Sequence, residues 1–157
     1  LNMMPEFFTA TSQLQKFNKL FSEQPIEKSH LMLSVPFESL KGYNKTTLDI
    51  IKRYLKNGIN IVPDGVNQDE RFTPEFLKEM GFTTVVLDSK LYKSIEGAVL
   101  VNDLRKNGIT VYGKNADSNE ILKWLNSNHI YCYSGTMVGI PTSEDEMILN
   151  ILAREEM

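Results

Sequence analysis

The chain has a single cysteine, Cys132, so no intrachain disulfide can form and stability rests on the core. No apolar run approaches the ~20 residues that cross a bilayer, and no signal peptide is visible. A cytoplasmic location is therefore expected, with no membrane contact by this segment. Neither sign of charge dominates: 17 Lys and Arg face 20 Asp and Glu, for a net charge of -3. That balance gives no electrostatic reason to bind nucleic acid. The chain also lacks a P-loop, a G-x-G-x-x-G turn, paired Cys/His zinc spacing and a G-x-S-x-G elbow. The sequon Asn44-Lys45-Thr46 carries no weight without a secretory signal. The start at Leu1, without methionine, suggests a fragment or a processed chain.

What is present is a repeated phrase. NGINIVPDG from Asn57, MGFTTVVLDS from Met80, NGITVYGKNAD from Asn107 and NHIYCYSGT from Asn128 each join a helix end to a β-branched run and a polar loop. A length of 157 residues suits one domain, and 41% hydrophobic content is ordinary for a globular one. Strands are expected at the apolar run Leu1 to Met4, at Leu31 to Val35, Ile59 to Val62, Thr83 to Leu87, Ile109 to Tyr112 and Ile130 to Tyr133.

Helices fall between them. One carries Phe7, Phe8, Leu14, Phe17, Leu20 and Phe21. Thr46 or Thr47 is read as the cap of the next, which Gly58 stops. Asp64 to Phe72 reads as a polar loop, and Thr73-Pro74 opens a short helix. A further helix runs to about Lys106, and Ser118 caps the one holding Ile121, Leu122, Trp124 and Leu125. Ser143 and Glu146 form a capping box before a last helix. Alternating strands and helices imply parallel pairing, and strands apolar on both faces fit a sheet covered by helices. A closed barrel of eight strands needs at least ~200 residues, so the expectation is an open sheet or an incomplete barrel.

Single residues read mostly as structural. His30 and His129 precede strands, the stability end of such folds, and are taken as surface or packing histidines. Cys132 is taken as an inert core thiol and Trp124 as core. Asp69-Glu70-Arg71 is taken as a solvated loop, with partner binding as the alternative.

The strand ends, taken in order, carry a resemblance. Leu1-Asn2-Met3-Met4-Pro5 is followed by Met32-Leu33-Ser34-Val35, Asp64-Gly65-Val66-Asn67, Val86-Leu87-Asp88, Lys114-Asn115-Ala116-Asp117, Ser134-Gly135-Thr136 and Val138-Gly139-Ile140-Pro141. This series resembles the EAL domain, whose active members hydrolyse cyclic di-GMP. Its signatures are an Asn-x-Ser end, an E-x-T-E strand, a D-D-F-G end, a K-x-D end, an E-G-V-E loop and a Q-G-Y loop. The resemblance implies an α/β fold, an incomplete EAL-type (β/α) TIM-like barrel of about six parallel βα units. It implies one EAL-like domain over residues 1–157 that lacks its N-terminal strands, two further units of which would complete eight.

The same resemblance implies lost chemistry. In active members, carboxylates and an asparagine hold two hard divalent cations that activate water. Asn2 and Asp64 keep oxygen at two such positions, as vestigial ligands. Met32 and Lys114 replace ligand carboxylates, Val35 a glutamate, Gly65 an aspartate, Val86 a lysine and Ser134 a glutamine. No catalytic residue, metal or cofactor is therefore expected. Asp88, Lys114, Asp117 and Ser134 remain as ligand-binding candidates.

Three functions follow. The favoured one is a catalytically inactive regulatory or protein-interaction module in cyclic di-GMP-type bacterial signalling, bound to a protein partner or linked signalling domain. The second is a cyclic di-GMP receptor without hydrolysis, less favoured because part of the family's nucleotide contacts lie on the missing strands and Ile140 replaces an arginine. The third is an unrelated α/β enzyme with a rewired site from Asp64, Asp88, Lys114 and Asp117. An incomplete barrel also exposes strand edges, so self-association through an edge or loop is expected.

Overall fold

The computed structural model describes residues 32–139 throughout, with Pro5–Phe8, Ser12, Gln15, Lys16 and Lys19 before them. Five strands form one parallel sheet: β1 (Met32–Pro36), β2 (Asn60–Val66), β3 (Thr84–Leu87), β4 (Thr110–Gly113) and β5 (Cys132–Tyr133). Their spatial order is their chain order. A doubly wound sheet would reverse order at a switch point; this sheet winds one way, as a barrel wall does.

Helices α1 (Phe37–Gly42), α2 (Lys45–Lys56), α3 (Pro74–Met80), α4 (Ile95–Lys106) and α5 (Asn119–Ser127) connect the strands. Residues alternate along the strands. Leu33, Val35, Ile61, Val85, Leu87 and Val111 are buried in the core cluster with Leu40, Ile51, Leu77, Leu104 and Leu125 from the helices. Rings join the core between elements: Phe72 sits edge-on to Phe37 at 5.7 Å and to Phe76 at 5.2 Å. Phe8 is buried and meets Tyr43 and Tyr54 edge-on.

Several local readings hold. Thr73 caps α3 with Pro74 in its first turn, and Ser118 caps α5, accepting from Ile121 N–H. His129 is exposed, as a surface histidine. Trp124 packs at the core margin, its ring 5.4 Å from that of Tyr92.

Other readings are corrected. Asn44, not Thr46 or Thr47, caps α2; its side-chain oxygen accepts from both the N–H and the hydroxyl of Thr47. Helix α1 was not expected, because Pro36 reads as a stop. Pro36 instead takes the N-cap position, and Phe37 and Leu40 are buried behind it. Strand β2 runs past Val62 to Val66, through a register irregularity between Asp64 and Val66. Gly65 stands there with φ of 84°, a conformation costly to any residue with a Cβ.

Cys132 is exposed rather than core; β5 is a two-residue strand that, among the described residues, pairs only with β4. Arg71 is more than a solvated charge: its guanidinium donates to the carbonyls of Lys41 and Tyr43, and Asp69 accepts from the N–H groups of Arg71 and Phe72. The expected strand at Leu1 to Met4, His30 and the last helix lie outside the described residues.

Candidate functional site at the strand ends

Strand alternation turns one side chain in two away from the helices. On that inner face Met32 and Ser34 of β1, Val62 of β2, Val86 of β3 and Tyr112 of β4 line a cavity of about 330 Å³ with Gly113, Lys114, Tyr133 and Ser134. Its lining is largely apolar. At its edge lies a polar cluster: Ser34 of β1 donates to Asp64 Oδ2 of β2 at 3.0 Å, and the ammonium of Lys114, just past β4, donates to the same oxygen.

Lys114 is delivered from a fixed base. The Tyr92 hydroxyl accepts from Lys114 N–H at 2.8 Å and donates to its carbonyl at 2.9 Å. Tyr92 is buried, and that burial pushes its phenol pKa up. The hydrogen bond from Lys114 N–H opposes the rise in part, and the carboxylates of Asp88 and Asp64 add to it.

The following loop is locked to the chain after β5. Ala116 N–H donates to Ser134 O, and Met137 N–H to Ala116 O. Asp117 Oδ1 accepts from the N–H of Thr136 at 2.7 Å and from its hydroxyl at 3.0 Å. Gly135 lies so close that a Cβ there would stand 2.3 Å from Ala116 N.

The named positions therefore divide. Asp64 and Lys114 come together, and Ser134 lines the same cavity. Asp88 instead caps the turn Ser89–Leu91, accepting from Lys90 N–H, and Asp117 holds Thr136. Of the replaced positions, Met32 and Val86 face the cavity. Val35 does not; it is wholly buried in the core cluster, and Gly65 forms the irregularity in β2. Asn2 lies outside the described residues.

Two participants escaped the sequence reading. Ser34 shares the face of Met32 by period-two alternation, a signal that was available. Tyr92 lies in an irregular segment, and nothing in its neighbours' spacing marks it.

The described residues do not fit a two-metal centre. Hard cations need several oxygen ligands, mostly anionic. Among the described residues no three His, Cys, Asp or Glu side chains gather to hold an ion. The Asp64 carboxylate already holds an ammonium and a hydroxyl.

Neither protein-family models nor curated protein sequences match the chain. Solved structures do match in fold. The PaMucR phosphodiesterase in its c-di-GMP complex superposes with a TM-score of 0.75 at 15% identity, over 93% of this chain and 62% of that one. The Bacillus subtilis YkuI protein, with an EAL domain and in complex with c-di-GMP and calcium, gives 0.72 at 14% identity, over 90% of this chain and 36% of that one. The FimX EAL domain from Pseudomonas aeruginosa, bound to c-di-GMP, gives 0.74 at 9% identity, over 86% of this chain and 58% of that one. The chain thus spans less than two thirds of each of these structures. It has the α/β-barrel fold of these EAL structures and covers part of that barrel.

Proposed function

We propose that the chain is a catalytically inactive EAL-like domain, acting as a regulatory or protein-interaction module in cyclic di-GMP-type bacterial signalling. The observation that carries this reading is the pairing of Asp64 with Lys114. Two-metal hydrolysis needs a surplus of negative charge at the strand ends to hold the ions that activate water. Here the carboxylate is matched by a fixed positive charge, and Met32 and Val86 bring no charge to the cavity. The barrel wall survives while the ligand set does not, which is what a domain retained for binding would keep. Incubating the full-length protein with cyclic di-GMP and Mg²⁺ or Mn²⁺ should yield no linear or mononucleotide product. Metal-dependent turnover that disappears on Asp64→Asn would overturn the reading.

The second reading is a non-hydrolysing cyclic di-GMP receptor. The cavity beside Lys114 and Ser134 favours it, since positioning contacts suffice for binding. Calorimetric titration of the full-length protein separates the two. Micromolar or tighter binding supports the receptor, and silence at high micromolar nucleotide removes it. On either reading the domain is a single unit over residues 1–157 whose barrel is completed by strands outside this chain. Without those strands, the open sheet edge is a place for association.

A further inference from the structure

We propose that the Lys114 ammonium is a tethered cation that takes the place of a divalent ion at the strand ends and excludes it. The inference goes beyond the loss of hydrolysis: it names the residue that decides ion occupancy, and its test uses no nucleotide. Ser34 within β1 and Asp64 in the C-terminal half of β2 put a hydroxyl and a carboxylate together, an oxygen pair that a hard cation would use. Lys114 comes from the end of β4, with β3 between. Val86 of β3 pairs in register with both Asp64 and Tyr112 and is buried and apolar, so the lysine crosses over a surface that suits its methylene stem.

The ammonium then bonds the same Oδ2 that accepts from Ser34. An incoming ion would have to displace both donors and remain beside the displaced positive charge. The tether also acts at a fixed, high effective concentration. Tyr92 grips both backbone polar groups of Lys114, and the loop beyond is locked by Gly135 and Asp117. The resemblance places a carboxylate where Lys114 stands and a lysine where Val86 stands. On that comparison the middle strand carries no positive charge here, while Lys114 carries one that reaches Asp64.

Electron paramagnetic resonance of Mn²⁺ titrated with the full chain tests this. The wild type should leave Mn²⁺ free. Lys114→Glu should bind it at least about tenfold more tightly, because ligand charge count sets affinity at oxygen sites. Lys114→Glu combined with Asp64→Asn should return to the wild-type response. If circular dichroism shows Lys114→Glu unfolded, Lys114→Met carries the test, and Mn²⁺ should raise its Tm but not that of the wild type. The proposal is overturned if the wild type binds Mn²⁺ through Asp64 as tightly as the variants. It is also overturned if folded variants take up no more Mn²⁺ than the wild type. Neither failure touches the hydrolysis assay, which stands or falls on product formation.

Discussion

At the scale of single residues, Tyr92 concentrates the most dependence in one group. Its hydroxyl serves both backbone groups of Lys114. Tyr92→Phe leaves those two groups without that partner and should cost about 1–3 kcal/mol in urea denaturation. The phenol also sets a pH dependence. Its pKa is raised on folding, so the neutral form is the one the fold favours. Its contribution is fully present below the unfolded value near ~10 and is lost as pH rises through the folded value. Alkaline titration of stability should therefore be flatter in Tyr92→Phe than in the wild type. The Asp64–Lys114 pair should behave differently. Its side chains are 26% and 41% exposed, so solvent screens it, and a double-mutant cycle with Asp64→Asn and Lys114→Met should give a coupling of about 1 kcal/mol or less that falls with salt. At Gly135 the cause is steric: Gly135→Ala drives a Cβ into the backbone of Ala116 and should destabilise by about 1–3 kcal/mol, read by the same denaturation.

At the scale of elements, the helix starts show what local chemistry reveals. Ser118 and Thr73 were legible because each stands directly before an apolar periodic run. Asn44 was not, because two threonines follow it and either can cap. The structure resolves the competition by burying Thr47 and turning its hydroxyl onto Asn44. Asn44→Ala should cost about 1 kcal/mol, and Thr46→Ala much less, in thermal unfolding. Helix α1 was hidden because proline before a helix and proline after a strand look alike in sequence. The exposure of Cys132 was hidden for another reason. A β-branched and aromatic run reports that a strand exists, but not whether it lies at an edge. The ion pair of Asp64 with Lys114 joins positions in different repeats, and no local pattern encodes which strand ends meet.

At the scale of the whole molecule, the repeat seen in the sequence became a sheet wound in one direction. Parallel pairing was legible from the alternation of strands with helices, whereas burial on both faces is found in β2 and β3 but not in β1 and β4, where Met32 and Thr110 are exposed and Ser34 and Tyr112 half-buried. The described sheet holds its inner strands between neighbours and leaves β5 paired on one side. Hydrogen exchange should therefore be slowest in β2 and β3 and faster in Cys132–Tyr133. Light scattering of the full chain should show self-association through an edge or loop, and a monodisperse monomer would count against that.

The match between strand order and chain order has a kinetic consequence. Each strand's partner is the next one synthesised, so every pairing closes a loop of only one or two helices and their turns. Closure entropy grows slowly with loop length, and short sequence separations favour rapid folding. The sheet can be assembled one βα unit at a time, each docking on the growing edge of the last. Gain or loss of a terminal unit then requires no rethreading of the units already in place.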